Sequence, residues 1–317
     1  MNKSLKIIFA GTPNFAVAHL KKIVESKYKV VCAITRPDKI SGRGKKLKIS
    51  PVKEFAIKNN IEINQPKSLN NNKFIKYVKE KNAHMMIVVA YGLIIPETII
   101  NLFSMGCINV HASLLPRWRG SSPIQYAIIN GDINTGVTVI KMNKKIDHGK
   151  IIDSIEYKIK NDETSITLEK KLSKIGSKLI IKVINNLIYK NFSLKKQNHN
   201  FATYTKKIKK KDGIIDWKLN AKKIERQIRA FNPWPTSYFF VKKKIIKIWE
   251  ANYIKSNKKC EIGKILEINK NGMQISTGNG IINVKKIQFS GKKIVSIKDI
   301  LNSNNSFLIK DLNLVES

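Results

Sequence analysis

Two side chains able to bind and move charge lie close together in Cys107-Ile108-Asn109-Val110-His111. The segment is apolar and short, as a buried strand is. Side chains alternate across a strand, so Asn109 and His111 share one face, while Ile108 and Val110 point to the other. The chain then runs through Ala112-Ser113-Leu114-Leu115-Pro116-Arg117-Trp118-Arg119-Gly120, where Pro116 and Gly120 are loop residues. An amide donor and an imidazole therefore leave one strand end together. In an open α/β sheet, ligands bind just outside the carboxyl ends of the strands. The same pattern also fits a histidine that only hydrogen-bonds within the core.

Two other loops end in the same way. Tyr91-Gly92 follows the apolar run Met85–Ala90, and Asp147-His148-Gly149 is a tight turn before Ile151-Ile152. The three loops offer an amide, an imidazole and a carboxylate, which suits acyl transfer. Asn109 would stabilise a developing oxyanion. His111 would relay protons, and Asp147 would hold the imidazole. His148 could compete for that carboxylate, but only His111 shares a strand face with Asn109. A rival arrangement makes Ser113 the nucleophile of a hydrolase triad with His111 and Asp147. No GxSxG elbow exposes Ser113, and it lies only two residues from His111. No His/Cys/Asp cluster has metal-ligand spacing, so no metal is expected.

These loops need a scaffold. Lys6–Ala10 reads as a buried strand that Gly11 ends, with Thr12 as a helix cap and Pro13 at the first helical position. A helix over Phe15–Val24 and a strand over Val30–Ile34 complete a βαβ unit, hence a parallel sheet. GxGxxG is absent, so a dinucleotide site is not expected. Residues 36–50 form a long loop carrying Gly42, Gly44, Arg43, Lys45 and Lys46, fitting either a phosphate site or a solvated connection. Helices are predicted over 51–59, 71–81, 122–130 and 164–187, and a strand over 138–140. A polar, patternless stretch then leads into Lys206-Lys207-Ile208-Lys209-Lys210-Lys211 and reads as a linker. Beyond it come a helix over 221–230 and short alternating segments at 237–241, 245–249, 263–268, 273–276 and 281–287, the spacing of a small β-barrel.

The chain has 317 residues, 42% of them hydrophobic, which suggests about two domains. No run approaches the ~20 apolar residues that span a bilayer, and the first residues do not resemble a secretory leader. Cys32, Cys107 and Cys260 are far apart and form no CxxC pair, in keeping with a reducing cytoplasm. The formal net charge is +38. That much positive charge attracts phosphates at least non-specifically, and nucleic acid is the simplest polyanionic partner. Lys, Ile and Asn are abundant together, as AT-biased codons would make them, so part of the lysine content reflects composition.

The sequence resembles the methionyl-tRNA formyltransferases, a family of folate-dependent enzymes. The matching motifs in the first half are Phe9-Ala10-Gly11-Thr12-Pro13, residues 41–47 and 90–96, and the block from Gly106 to Gln125. Gly131-Asp132, Thr135-Gly136-Val137-Thr138 and Ile146-Asp147-His148-Gly149 continue the resemblance, as does Ile228-Arg229-Ala230-Phe231-Asn232-Pro233-Trp234-Pro235. The resemblance covers nearly the whole chain. It implies an α/β fold: a Rossmann-like, mostly parallel sheet domain at 1–189, a linker at 190–207 and a small OB-like β-barrel domain at 208–317. The implied catalytic set is Asn109, His111 and Asp147. Ser113, Leu114, Leu115 and Pro116 would contact 10-formyltetrahydrofolate, with its pteridine near Tyr91 and Leu93, and Phe15 would lie near the methionyl side chain. Arg43, Lys45 and Lys46, with Lys207 and Lys209, would contact the initiator methionyl-tRNA. The enzyme would be a cytoplasmic monomer needing neither metal nor membrane. Departures are Ala112 for a frequent glycine, Ser121-Ser122 for alanines, His148 for a frequent threonine and Lys150 for an acid.

Two other functions remain open on the sequence. A formyltransferase of the same chemistry could act on a small amine such as a nucleotide or amino-sugar, which would need no basic loop. A non-catalytic RNA-binding protein could use an enzyme-derived fold, though it would tolerate the loss of Asn109, His111 and Asp147.

Overall fold

The computed structural model describes residues 5–41, 46–257, 260–302 and 308–315. The chain divides into two compact units. The first comprises residues up to 123, 134–158 and 169–206; the second comprises 124–133, 159–168 and 207 onward.

The first unit is built on a seven-stranded sheet. Its strands are β1 (Lys6–Gly11), β2 (Lys29–Ile34), β3 (Ile63–Asn64), β4 (Met85–Val89), β5 (Cys107–His111), β6 (Asn134–Lys141) and β7 (Lys150–Lys158). They lie in the order β7-β6-β5-β4-β1-β2-β3. The pairings from β3 through β5 are parallel, and β6 and β7 are added antiparallel. The fold class is therefore α/β with a mostly parallel sheet, as expected. β4 is buried at every residue, which explains its unbroken apolar sequence: parallel strands are covered on both faces. The helices of this unit are α1 (Asn14–Val24), α2 (Pro51–Lys58), α3 (Asn72–Glu80), the short α4 (Glu97–Ile100) and most of the long helix Ser165–Ile188.

The connections reverse direction between β1 and β4, with β2 on one side of β1 and β4 on the other. Such a switch point opens a crevice at the carboxyl ends of the strands. Gly11 ends β1 where any side chain would collide: a Cβ would lie 2.6 Å from the Ala16 Cβ and 2.9 Å from the Val89 carbonyl oxygen. Glycine thus lets α1 approach the sheet closely. Thr12 does not cap α1, as the sequence suggested. Pro13 occupies the cap position without a side-chain bond, and the Thr12 hydroxyl donates instead to the Tyr91 carbonyl at 2.9 Å. That bond ties together the loops that leave β1 and β4.

Part of the long 36–50 loop is an antiparallel ribbon, with Lys39–Ser41 paired to Lys46–Lys48. Lys46 sits on it, opposite Ser41. Arg43 and Lys45 lie outside the described residues. The polar stretch read as a linker is ordered against the first unit. Lys195 exchanges two backbone hydrogen bonds with Ile151, at 2.8 and 2.9 Å. Tyr204–Thr205 pairs in parallel with Arg119–Gly120.

The second unit contains a six-stranded antiparallel sheet of Ser237–Val241, Lys244–Ile254, Ile265–Asn269, Gly272–Ser276, Ile281–Phe289 and Ile294–Ser296. The last strand is too short to show in the hydrophobic pattern. Helix Ala221–Ala230 lays Ile224 and Ile228, four residues apart, into a core with Trp217, Phe239, Ile248 and Ile282. Asn220 caps this helix by accepting from the Lys223 N–H at 2.8 Å. Arg229 pairs with Glu225 one turn earlier and donates to the Glu163 carbonyl at 2.8 Å. Lys207 and Lys209 are exposed in this unit.

Candidate active site

The end of β5 and the segment that follows it meet the turn of Asp147 in the first unit. The Asn109 amide Nδ2 donates to Asp147 Oδ1 at 3.0 Å. The Gly120 backbone N–H donates to Oδ2 at 2.8 Å. His111 Nδ1 lies 3.6 Å from the same Oδ2, close enough for charge attraction but too far for a hydrogen bond. The other ring nitrogen, Nε2, donates to the Trp118 carbonyl at 2.8 Å. A carbonyl can only accept, so Nε2 carries the hydrogen. The backbone therefore orients the ring, and Asp147 faces the second nitrogen. Both side chains come from β5, where Asn109 lies opposite Ile140 and His111 opposite Thr138.

Both His111 and Asp147 are largely shielded from water. Charges and dipoles act more strongly in such a setting than in bulk water. One hydrogen of the Asn109 amide is committed to Asp147. Among the described residues, the second remains for a substrate oxygen. An amide donor and an imidazole held beside a carboxylate can polarise a carbonyl and move one proton.

His148 does not compete for Asp147. Its ring stacks on His199 with centroids 3.8 Å apart and planes inclined by 16°. Desolvation, with His199 and the Arg119 guanidinium nearby, lowers its pKa. His111 is the imidazole that faces Asp147.

The Ser113 hydroxyl is fully buried and donates to the Arg117 carbonyl at 2.6 Å. It is spent on loop geometry, which removes it as a nucleophile. Thr138 supports the same loop, donating to the Ser113 carbonyl at 2.7 Å and accepting from the Leu115 N–H at 3.0 Å. The Leu115–Pro116 peptide is cis.

Two buried polar atoms near here have no hydrogen-bond partner among the described residues: the Tyr91 hydroxyl, in the loop after β4, and Arg36 Nε, in the loop after β2. Burial raises the Tyr91 pKa to about 12, opposed by the Arg36 charge. Leu93 packs on the same apolar cluster as Tyr91. Phe15 is buried on α1 with its ring 4.9 Å from that of His19. Burial also raises the Cys32 pKa to about 11 and that of Cys107 upward, leaving both thiols protonated and inert. Among the described residues, no group of three or more His, Cys, Asp or Glu side chains is placed to hold a metal. No described helix is long and apolar enough to cross a membrane.

Sequence reasoning missed four groups here: the Trp118 carbonyl, the Gly120 N–H, Arg119 and Gln197. Arg119 is almost wholly buried, and donates to Gln197 Oε1 from Nε at 3.2 Å and from Nη2 at 2.6 Å. An arginine in a polar loop carries no hydrophobic periodicity that would mark it as buried.

Comparisons with known proteins place these features. The family described as formyl transferase matches residues 4–184, and its C-terminal domain matches residues 207–305. The chain is 48% identical over 300 residues to a protein named methionyl-tRNA formyltransferase from Buchnera aphidicola subsp. Acyrthosiphon pisum (strain Tuc7), covering 94% of this chain and 96% of the relative. It is also 48% identical over 303 residues to the protein of that name from Buchnera aphidicola subsp. Schizaphis graminum (strain Sg), covering 95% and 96%. Among solved structures, an N-formyltransferase from Helicobacter canadensis, in complex with folinic acid and dTDP-3-aminofucose, superposes with a TM-score of 0.63 at 23% identity, covering 88% of this chain and 99% of that one. HypX from Aquifex aeolicus, in complex with tetrahydrofolic acid, superposes with a TM-score of 0.64 at 13% identity, covering 97% and 48%.

Proposed function

Because the chain belongs to the methionyl-tRNA formyltransferases, we propose that it transfers the formyl group of 10-formyltetrahydrofolate to the α-amine of methionyl initiator tRNA, for the initiation of translation. The observation that carries this reading is the convergence of Asn109 and His111 on Asp147 at one end of the sheet. The domains implied are catalytic, 1–189, and tRNA-binding, 208–317, joined by 190–207, in a monomeric cytoplasmic enzyme.

The unprotonated methionyl amine attacks the formyl carbon. The free hydrogen of the Asn109 amide is placed to donate to the oxygen on which charge develops. His111 Nδ1 takes the proton released by the amine, with the adjacent Asp147 carboxylate stabilising the imidazolium and the Trp118 carbonyl holding the ring, and returns it to the folate nitrogen as the formyl C–N bond to the folate breaks and tetrahydrofolate leaves. The folate supplies the formyl group. The unpartnered Tyr91 hydroxyl and Arg36 Nε fit a heterocycle rich in donors and acceptors, and the Ser113–Pro116 turn would bound its other side. Phe15 would pack against the methionyl side chain. Arg43, Lys45, Lys46, Lys207 and Lys209 would contact tRNA phosphates. Holding both substrates in reacting geometry supplies much of the rate.

The test is a formylation assay with 10-formyltetrahydrofolate and either charged initiator tRNA or small amines such as amino-sugar nucleotides. Formylation of the charged tRNA is expected. Turnover of the small amines alone would overturn the reading.

A further inference from the structure

We propose that Gln197 is a positioning residue for the catalytic carboxylate, and that the buried Arg119 holds Gln197 in place to do this. The inference rests on the reading of Asp147 as a member of the catalytic set.

Asp147 sits in a turn that the chain would not choose unaided. Its φ is +50°, in the left-handed region that a residue with a Cβ disfavours. Two residues on, Gly149 is packed so tightly that a Cβ would fall 1.9 Å from the Lys141 carbonyl oxygen. Gln197, nearly fifty residues later, reaches back to this turn. Its Nε2 donates to the carbonyls of Asp147, at 2.8 Å, and Gly149, at 2.7 Å. Its Oε1 accepts both Arg119 Nε, at 3.2 Å, and Arg119 Nη2, at 2.6 Å. A guanidinium can only donate, so the amide cannot flip. Both hydrogens and both lone pairs of Gln197 are used, and the side chain is buried.

Arg119 is fixed in turn. It donates to the Tyr204 hydroxyl at 3.2 Å and to His199 Nδ1 at 2.8 Å. Its backbone N–H donates to the Thr203 carbonyl at 2.8 Å. The next residue, Gly120, gives its N–H to Asp147 Oδ2. Asp147 is thus gripped twice from one short stretch: at the carboxylate by Gly120, and at the main chain by Gln197 acting for Arg119. Residues 195–205 are therefore part of the first unit's chemistry as well as a connection.

The informative variant is Gln197→Glu. It keeps the size and the Arg119 contact but loses both donors and sets a carboxylate against two carbonyls. For an active parent, kcat should fall about tenfold to a hundredfold, as displaced catalytic groups do, while KM for each substrate stays within about threefold. Gln197→Met, which loses the donors without adding charge, should behave alike. Adding Gln197→Glu to Asp147→Asn should cost little more than Asp147→Asn alone, because residues acting through one another are not additive. Hydrogen exchange reads the clamp without any assay: the Gly120 amide and residues 146–150 should exchange faster in Gln197→Glu. Unchanged exchange, a parent-like kcat in either variant, or fully additive losses would overturn the proposal. A parent that does not formylate charged tRNA, but whose Gly120 amide is released by Gln197→Glu, would sink the assigned reaction and leave the clamp standing.

Discussion

His111 Nε2 donates to the Trp118 carbonyl at 2.8 Å, which leaves Nδ1 facing Asp147 Oδ2 at 3.6 Å. The imidazole is thus held by the main chain of its own loop, with the carboxylate facing its other nitrogen. The Asn109 amide reaches the other carboxylate oxygen, Oδ1. Asn109 and His111 reach the carboxylate from one strand, β5, and Asp147 meets them from a separate turn.

His111→Ala should lower kcat/KM for charged tRNA about 10²- to 10⁴-fold, the contribution of a positioned general base. His148→Thr should stay within about threefold of the parent, since its ring stacks on His199 and does not contact Asp147. Steady-state kinetics of the two variants side by side would reveal a reversed ranking, which would exchange the roles of the two histidines.

Asn109→Asp replaces the donor to Asp147 with a second carboxylate. Loss of the oxyanion donor alone costs about 10²- to 10³-fold in kcat, and the like charge beside Asp147 adds to it. Single-turnover formylation should show the loss in the chemical step, with tRNA affinity near that of the parent.

Stability should carry the signature of His19. Burial lowers its pKa from 6.5 to about 4, against the opposing bond to the Phe15 carbonyl. Nδ1 donates to that carbonyl at 2.8 Å, and Nε2 has no partner among the described residues. The unfolded chain therefore binds this proton more readily than the native one. The native state carries no such penalty above pH 6.5 and loses stability progressively as pH falls from 6.5 toward 4. The full effect is about 3 kcal/mol. Denaturant melts of His19→Leu between pH 7 and pH 5 should show a flatter pH dependence than the parent; identical slopes would rule His19 out as the cause.

Binding of tRNA should weaken steeply with salt, as neutralised phosphates release counterions. Lys207→Ala and Lys209→Ala should each reduce the slope of log K against log salt by about 1. Filter binding over a salt series measures this, and a flat response in the parent would remove both lysines from the interface.

The scaffold was readable because buried strands are written in the plainest code. Met85–Val89 is an unbroken apolar run, and alternation correctly put Asn109 and His111 on one face. Asp147 stands out as a candidate because a tight turn with a carboxylate precedes a strand. What stayed hidden depends on partners far away in sequence. The Thr12 hydroxyl serves Tyr91, seventy-nine residues away, where local rules assign it to the next helix. Arg119 and Gln197 are seventy-eight residues apart. Nothing in the periodicity of either neighbourhood marks two polar side chains as mutual partners in the interior.

The pairing of Tyr204–Thr205 with Arg119–Gly120 sets a schedule for synthesis. The sheet, its helices, Asn109, His111 and Asp147 lie in the first 190 residues, so a nascent chain of that length holds all three side chains of the candidate site. Yet the loop that gives Asp147 its N–H is braced by residues still inside the ribosome. The candidate site is not a prefix of the chain: its bracing is complete only when residues 195–205, the last stretch of the first unit, have been made.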